Sequence, residues 1–298
     1  MRIVSLLPSA TEIVCALGRQ DQLVGISHSC DHPPAILDRP VLTRTGVPVE
    51  QSQQTIDDFV RDRLARGEGL YDLDIETLER LAPDVIISQT LCDICAVSGG
   101  DVYRAVAALS SRPELIELDA STLEDIYGDI LRTAGVIDAV DEGETLVASL
   151  RQRADRVAGL APLQGERVMF LEWLQPPFIG GHWIPDLIEL LGGESVLVQS
   201  GERSGAVDWD AIHDSDPDRV LVACCGYSEA GSREALQILA DDTRWQRLRA
   251  VQEGRVLIGD GNAHFSRAGP RVIDGLEWLA TKGPRGSEKR KRGTVPVF

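Results

Sequence analysis

The chain is poor in several kinds of residue, and each shortage excludes a class of protein. Six cysteines among 298 residues are too few for a disulfide scaffold, so we expect free thiols. No apolar run reaches the roughly 18 residues that a membrane span needs. Basic residues number 30 against 47 acidic ones, and the resulting formal charge of −17 repels nucleic-acid phosphates. We therefore expect a small-molecule ligand, with neither nucleic-acid binding nor membrane insertion.

Catalytic signatures are also missing from the sequence. There is no Gly-x-Ser-x-Gly elbow, no Walker loop, no His-Glu-x-x-His and no Gly-x-Gly-x-x-Gly after the first predicted strand. This favours a binding protein over an enzyme. The N-terminus runs directly into a strand and then a helix capped by Ser9 or Thr11, with no signal-peptide pattern, so we expect a cytoplasmic protein. We also expect a monomer. If the start codon is misassigned, a periplasmic or extracellular location follows instead.

Strands alternate with helices in both halves of the chain. The pattern predicts an α/β fold of two Rossmann-like lobes, with mainly parallel sheets joined by one long helix. Residues 1–120 form the N-terminal lobe, 121–161 the connecting helix, 162–282 the C-terminal lobe and 283–298 a disordered basic tail. The connecting helix could be broken near Gly135–Asp141. The predicted strands are Arg2–Leu7, Gln22–Ser27, Pro40–Thr43, Asp84–Ser88, Glu114–Asp119, Arg167–Glu172, Ser195–Gln199, Arg219–Ala223 and Arg255–Gly259.

Reactive side chains concentrate in the turns that follow these strands. In open α/β sheets, ligands bind at the carboxyl ends of the strands, so we expect these turns to line a cleft between the lobes. The turns are His28-Ser29-Cys30-Asp31, Gln89 to Cys95, Gly181-His182-Trp183, Cys224 to Tyr227 and Asn262 to Phe265. By strand alternation, one of the adjacent thiols Cys224 and Cys225 faces the core.

A Cys-x-x-Cys pair, Cys92 and Cys95, leaves three interpretations open. With Cys30 and His28 it could complete a Cys₃His zinc site. The two thiols could also form a redox pair, or they could be small residues that line a pocket. His182 and His264 are candidates for donating a hydrogen bond to a ligand or for binding its metal.

Ordered sequence motifs over roughly residues 1–280 resemble the cobalamin-binding proteins of bacterial ABC importers. The matching blocks are Ser5-Leu-x-Pro8-Ser-x-Thr11-Glu12, Asp31-x-Pro33-Pro34, Ile75-Glu76 to Pro83-Asp84-Val-Ile-Ile87, Pro176-Pro177-Phe178 with Leu191-Gly192-Gly193-Glu194, and Arg267-Ala-x-Pro270-Arg271. The resemblance implies a helix-linked, two-lobed binding protein that holds its ligand between the lobes with little closure.

The resemblance also implies particular site residues. Pro8 would lie in the cleft, and Phe178 and Phe265 would pack against a corrin. His28 or Ser29 replaces the aromatic residue that the importers carry after Ser27, and His264 stands where the family often has tryptophan. The complete set of expected ligand contacts is Pro8, Ser9, His28, Ser29, Gln89, Cys92, Phe178, His182, Trp183, Tyr227, His264, Phe265 and Arg267. Glu76 and Asp210 match the family's permease-docking carboxylates.

The sequence thus leads to a non-catalytic protein that binds a corrinoid such as cobalamin, or a related tetrapyrrole or metal chelate. It would act as a transport-type binding protein with an ABC permease if exported, or as an intracellular carrier or sensor. The alternative is a cytosolic metal-dependent enzyme or metallochaperone whose working ligands are Cys30, Cys92 and Cys95.

Overall fold

The computed structural model describes residues 1–89 and 99–282, which group into two compact units. The N-terminal unit comprises Met1–Ala120, Glu124–Ser149 and Ala268–Pro270. The C-terminal unit comprises Ser121–Leu123, Leu150–Arg267 and the segment from Arg271. Among the described residues, no helix combines the length and the apolar character that crossing a membrane requires.

A four-stranded parallel sheet forms the centre of the N-terminal unit, in the order β2-β1-β5-β6. Its central strands are short and buried on both faces, as parallel strands covered by helices are. The elements from here to the second unit are β1 (Ile3–Ser5), α1 (Pro8–Ala16), β2 (Leu23–Gly25), β3 (Thr43–Thr45), α2 (Gln53–Ala65), β4 (Tyr71–Leu73), α3 (Ile75–Leu81), β5 (Val85–Gln89), α4 (Gly99–Ala108), β6 (Glu114–Leu118), α5 (Leu123–Val136) and α6 (Val140–Ala158).

Two details of this unit differ from the sequence-based prediction. The expected strand Pro40–Thr43 is instead β3, which pairs antiparallel with β4 in a separate two-stranded sheet. The first helix starts at Pro8, whose fixed φ suits a first helical position, so Ser9 and Thr11 are buried inside the helix and do not cap it.

The segment predicted as a connecting helix is broken within the range where a break was considered, and it forms two helices, α5 and α6. Asp138 has a left-handed φ of 53°, which an α-helix cannot continue through, and it lies between the last residue of α5, Val136, and the first of α6, Val140. Helix α6 contributes residues to both units, with the division after Ser149.

The C-terminal unit is built on a mixed sheet in the order β10-β8-β7-β11-β12, with β9 also paired to β7. Strands β7, β9, β11 and β12 are parallel, whereas β8 is antiparallel to β7 and to β10. Its elements are β7 (Arg167–Leu174), β8 (Pro177–Ile179), α7 (Ile184–Leu190), β9 (Glu194–Ser195), β10 (Gly205–Ala206), α8 (Trp209–Asp214), β11 (Arg219–Val222), α9 (Glu229–Leu236), α10 (Thr243–Gln246), α11 (Arg249–Gln252), β12 (Val256–Ile258) and α12 (Val272–Lys282).

Two strand predictions in this unit need correction. The strand expected at Ser195–Gln199 is only the two-residue β9, because Leu197 takes a left-handed φ of 70° that ends extended pairing. The hairpin from β7 to β8 turns at Gln175-Pro176 and was not predicted. Side chains of the sheet, including Met169, Val220 and Val222, form the core of the unit with Ile212 and Trp245.

Candidate functional site

A chain of buried hydroxyls lies at the carboxyl end of β1. Ser5 Oγ donates to the carbonyl oxygen of Leu7 at 2.8 Å, and Thr11 Oγ1 donates to Ser5 Oγ at 2.8 Å. Cys30 Sγ is 3.1 Å from Thr11 Oγ1. Either atom could be the donor in this last contact. Cys30 is buried, with 5% of its surface exposed.

The turn after β2 places His28 against a second pair of hydroxyls. The His28 backbone N–H donates to Thr43 Oγ1 at 2.9 Å, and its ring Nδ1 is 2.7 Å from the same oxygen. Thr43 Oγ1 in turn donates to Ser27 Oγ at 3.2 Å. The imidazole also lies 5.4 Å from the ring of Tyr71. Desolvation of this inner side lowers the pKa of His28, although its outer side is exposed.

These contacts give the expected zinc site no support. Cys30 Sγ lies against Thr11 Oγ1, and His28 Nδ1 lies against Thr43 Oγ1, so both side chains face hydroxyl groups of their own unit. No group of three or more His, Cys, Asp or Glu side chains that could hold a metal occurs within residues 1–89 and 99–282. The other two proposed ligands, Cys92 and Cys95, lie outside the described residues.

The remaining expected contacts of the N-terminal unit lie in the first turn of α1, in the turn after β2 and at the end of β5. Pro8 is half-buried and Ser9 is buried in the first turn of α1. Ser29 is half-buried and its N–H is 3.3 Å from Ser27 Oγ, while the half-buried Gln89 is the last residue of β5. Cys92 cannot be placed with them, because it lies outside the described residues.

In the C-terminal unit, the ends of β11 and β12 pack without a gap. A Cβ on Gly261 would lie 2.0 Å from the carbonyl oxygen of Cys224, so only glycine fits there. The Asn262 N–H donates to the carbonyl oxygen of Tyr227 at 3.0 Å, and the Cys225 N–H donates to that of Glu172 at 2.9 Å. Cys224 is buried in the core and Cys225 is half-buried, as strand alternation predicts.

Three half-buried aromatic rings lie together at the carboxyl end of β7. Trp173 is the register partner of Phe178 on β8, and cross-strand partners project from the same face of a sheet. The indole of Trp173 also meets the ring of Tyr227 edge to face, with centroids 5.8 Å apart. We call Trp173, Phe178 and Tyr227 the aromatic triplet. Trp173 was not among the expected contacts, because a tryptophan at a strand end predicts packing equally well.

Two expected contacts lie in the interior of the unit instead. Phe265 is only 3% exposed and packs between Phe170 and Trp278, with centroids 5.4 and 6.0 Å away. The Trp183 indole, 6% exposed, donates to the Phe265 carbonyl oxygen at 3.0 Å. This placement favours a structural role for both rings. The sequence could not distinguish it, since an aromatic residue after a strand can point either way.

The turn after β12 is a π-helical turn, Gly261–Phe265, of a kind often found at functional sites. Asp260 caps it by accepting from the Ala263 N–H at 2.7 Å, and Arg267, 8% exposed, donates to Asn262 Oδ1 at 2.7 Å. Arg267 thus braces the turn. Within it, His264 is half-buried, and its Nδ1 is buried without a hydrogen-bond partner among the described residues.

His182 does not lie at the edge of the sheet where the parallel strands end, contrary to the prediction. It follows β8, which runs antiparallel to β7, so the Gly181-His182-Trp183 segment heads toward the amino end of β7. His182 has a φ of 55° and its N–H donates to the Glu202 carbonyl oxygen at 2.6 Å. Burial, and secondarily the charge of Arg203, lower the pKa of His182.

The expected docking carboxylates, Glu76 and Asp210, are exposed in the first turns of α3 and α8. Asp74 and Asp208 cap these two helices. A carboxylate in the first turn of a helix interacts favourably with the helix dipole. The helix dipole therefore accounts for acidic residues at these two positions even if no permease binds there. Their docking role stays a prediction.

A cavity of about 440 Å³ also occurs in the C-terminal unit. Its lining includes Arg167, Glu194 and Asp214, at the amino end of β7 and the end of α8. Open α/β sheets bind ligands at the opposite, carboxyl ends of their strands, so we place the candidate site at the aromatic triplet and not in this cavity.

Comparison with known proteins identifies related chains. Residues 3–263 match the family described as Periplasmic binding protein. The vitamin B12-binding protein of Vibrio cholerae serotype O1 is 25% identical over 289 residues, which cover 94% of this chain and 88% of that protein. The solved structure of the periplasmic vitamin B12-binding protein of Vibrio cholerae gives a TM-score of 0.66 at 21% identity, over 94% of this chain and 95% of that one.

A haem-binding protein has the same fold. The periplasmic haem-binding protein of Roseiflexus sp. RS-1 gives a TM-score of 0.68 at 20% identity, over 94% of this chain and 96% of that one. These similarities confirm the predicted α/β fold with two parallel or mixed sheets.

Proposed function

This chain belongs to the periplasmic binding protein family, a family of non-catalytic binding proteins, and we propose that it binds a tetrapyrrole, with cobalamin as the first candidate. The observation that carries the proposal is the aromatic triplet at the carboxyl end of β7. The relatives named for vitamin B12 and for haem support the same ligand class. Because the members of this family are non-catalytic, we do not retain the alternative of a metal-dependent enzyme.

The aromatic triplet suits a large flat ligand. Its rings lose little rotamer freedom on binding and carry wide apolar faces. Each of the three residues is half-buried, so each keeps some exposed surface. The rings are also held by backbone pairing, because Trp173 and Phe178 are register partners in the sheet. A ligand that packs on the triplet meets a surface that is ordered before binding, which lowers the entropic cost of association.

The charge of the chain favours a corrinoid over anionic ligands. The formal net charge of −17 opposes the approach of haem, with its propionates, and of an anionic ferric chelate. Cobalamin carries amide side chains in place of most carboxylates and avoids this repulsion. Haem and ferric chelates are therefore the second choice.

Titration of tryptophan fluorescence with cyanocobalamin, ferric protoporphyrin and a ferric chelate tests the proposal. We expect cyanocobalamin to quench the indole of Trp173, and Phe178→Ala and Tyr227→Ala each to weaken binding by about tenfold or more, a typical effect of truncating an anchoring aromatic residue. Tyr103→Ala is the matched control, since Tyr103 is 53% exposed on α4. Unchanged fluorescence with excess of all three ligands refutes the proposal.

We further propose that the protein serves ABC import or, if it stays in the cytoplasm, intracellular carriage of the ligand. The importer role predicts that charge reversal at Glu76 and Asp210 abolishes stimulation of a partner permease's ATPase without changing ligand affinity. Immunoblotting of separated cytoplasmic and extracytoplasmic fractions decides the location. A signal confined to the extracytoplasmic fraction contradicts the cytoplasmic proposal.

A further inference from the structure

The cavity of about 440 Å³ in the C-terminal unit has both positively and negatively charged side chains in its lining. Arg167 is the first residue of β7, Glu194 is the first residue of β9, and Asp214 is the last residue of α8. The volume falls within the range of about 300–1,000 Å³ that is typical of small-molecule sites. Trp173 of the aromatic triplet lies roughly 20 Å farther along β7, at a rise of about 3.3 Å per residue. The cavity is therefore separate from the proposed tetrapyrrole site.

These three charged side chains are unpaired at an end of the sheet where other charges are paired. The neighbouring ion pairs are Arg219 with Glu166, Arg249 with Asp216 and Asp218, and Arg255 with Glu253. By contrast, the side chains of Arg167, Glu194 and Asp214 form no ion pair and no hydrogen bond with any residue in the ranges 1–89 and 99–282. Their charges are therefore available to a ligand.

Arg167 and Glu194 present opposite charges side by side without contact between them. They are register partners on the parallel strands β7 and β9, so their side chains project from the same face of the sheet. No nitrogen of the Arg167 guanidinium lies within 4.0 Å of a Glu194 carboxylate oxygen, the limit for an ion pair. A guanidinium binds a carboxylate through two parallel hydrogen bonds, and a carboxylate accepts hydrogen bonds from an ammonium group. The pair thus matches the two charged groups at the head of an amino acid.

The rest of the lining suits a methylene chain that ends in a second cation. Val196, Leu197 and Ala211 supply apolar surface. Leu197 is 42% exposed and takes a left-handed φ of 70°, a costly conformation for a leucine and one that concentrates at ligand sites. Asp214 adds a second carboxylate. One guanidinium against two carboxylates leaves a negative surplus, so the fitting ligand carries a net positive charge.

We propose that this cavity is a second ligand site, which binds a basic α-amino acid such as lysine or arginine. Arg167 donates to the carboxylate of the ligand, Glu194 accepts from its α-ammonium group, and Asp214 accepts from the cation at the end of its side chain. The methylene chain packs on the apolar surface of the lining. The formal net charge of −17 also favours the approach of a cationic ligand. This inference does not depend on tetrapyrrole binding.

Isothermal titration calorimetry of the full chain with L-lysine and with L-arginine tests the proposal. We expect saturable binding of at least one of them to a single site. Arg167→Gln, Glu194→Gln and Asp214→Asn should each weaken this binding by about tenfold or more, the usual effect of losing a hydrogen bond to a charged group. Glu253→Gln is the matched control, because it removes a carboxylate that pairs with Arg255 at the same end of the sheet and does not line the cavity. It should leave the affinity unchanged.

Two analogues of lysine test which side chain binds which group of the ligand. L-norleucine lacks the cation at the end of the side chain, and cadaverine lacks the carboxylate, so the wild type should prefer L-lysine over both. Asp214→Asn should remove the preference over L-norleucine, because the lost carboxylate binds the group that norleucine lacks. Arg167→Gln should remove the preference over cadaverine for the corresponding reason. A variant that only disturbs the fold would weaken the binding of all three compounds equally.

The outcomes separate this inference from the proposed function. If neither L-lysine nor L-arginine binds the wild type at millimolar concentration, the second site is wrong and tetrapyrrole binding is unaffected. Equal affinities in the wild type and the three cavity variants, or preferences among the three compounds that the variants leave unchanged, likewise overturn it. If the amino acid binds as described and no tetrapyrrole does, the second site stands and the proposed function is wrong.

Discussion

Replacing Gly261 with alanine tests how closely the turn after β12 packs on the end of β11. The new Cβ would lie 2.0 Å from the carbonyl oxygen of Cys224 and 2.9 Å from that of Ala223. Both atoms belong to the backbone, so no side-chain rotation relieves the contact and a chain segment has to move. Overpacking of this kind costs about 1–3 kcal/mol. We expect the upper part of that range, because the movement also strains the hydrogen bond from Asn262 N to Tyr227 O.

Gly205→Ala is the matched control for this substitution. Nothing lies within 4 Å of a Cβ at Gly205, and neither glycine has the positive φ that would strain an alanine. Both substitutions therefore reduce the conformational entropy of the unfolded chain by the same amount. They differ only in the space that the folded protein has for the added Cβ. Gly205→Ala should be neutral or stabilise by up to about 1 kcal/mol.

Urea unfolding followed by circular dichroism gives the comparison, since both positions belong to the C-terminal unit. At an unchanged slope, Gly261→Ala should lower the unfolding midpoint and Gly205→Ala should not. Equal midpoints for the two variants would mean that the turn after β12 does not lie against β11, and the geometry assigned to His264 would be wrong with it.

Two further substitutions and one chemical modification probe buried charges and a half-buried thiol. Arg219 is 7% exposed and donates two hydrogen bonds to the carboxylate of Glu166. Glu166→Gln removes the charge that balances this buried guanidinium and should lower the free energy of unfolding, measured in urea, by about 3 kcal/mol. A decrease below about 1 kcal/mol contradicts this. Burial raises the pKa of Asp129 to about 6, although the charge of Arg132 acts in the opposite direction. The folded state therefore binds the proton more tightly than the unfolded state, and the stability of the wild type should fall as pH rises from about 4 to 6. The fall should be smaller in Asp129→Asn, and parallel profiles of melting temperature against pH for the two proteins contradict this. Burial also raises the pKa of Cys15 to about 11. Because only the thiolate reacts, its smaller population at pH 8 should slow alkylation of Cys15 about 100-fold relative to an ordinary thiol. Peptide mass spectrometry measures the labelling, and labelling at the rate of an ordinary thiol contradicts the prediction.

The parallel strands were the most predictable part of the fold. Strand β5, Val85–Gln89, matches the predicted Asp84–Ser88 because it is buried on both faces and reads as a continuous apolar run. The same holds for β11, Arg219–Val222, against the predicted Arg219–Ala223. Such runs need no long-range information to be recognised.

The antiparallel pairs could not be read from the sequence in the same way. Strands β3, β4 and β8 are three residues long, too short for a period-two pattern to stand out. The missed antiparallel strand β8 changed the predicted site in two ways. An unrecognised reversal at Gln175-Pro176 placed His182 at the wrong end of the sheet, and it also concealed that Phe178 is the partner of Trp173.

Burial of aromatic side chains was equally beyond the sequence. Phe265 and Tyr227 both follow strands, yet Phe265 is 3% exposed beneath the π-helical turn, while Tyr227 is half-buried beside Trp173. Phe265 is the last residue of this turn and packs between Phe170 and Trp278, whereas residues 262–264 of the same turn are half-buried. A resemblance between sequences aligns such positions without fixing the direction of their side chains.

The chemistry of His28 depends on a contact that no local pattern contains. A single parallel bridge pairs Ile26 with Val41, secured by hydrogen bonds between the Ile26 N–H and Pro40 and between the Leu42 N–H and Ile26. In parallel register, the residue two positions beyond Ile26 faces the residue two beyond Val41, which brings His28 to Thr43. A slip of one residue would replace the hydroxyl of Thr43 with an apolar or a basic side chain. The ring nitrogen Nδ1 would then lose its hydroxyl partner. The register of this bridge thus decides which side chain meets the imidazole of His28.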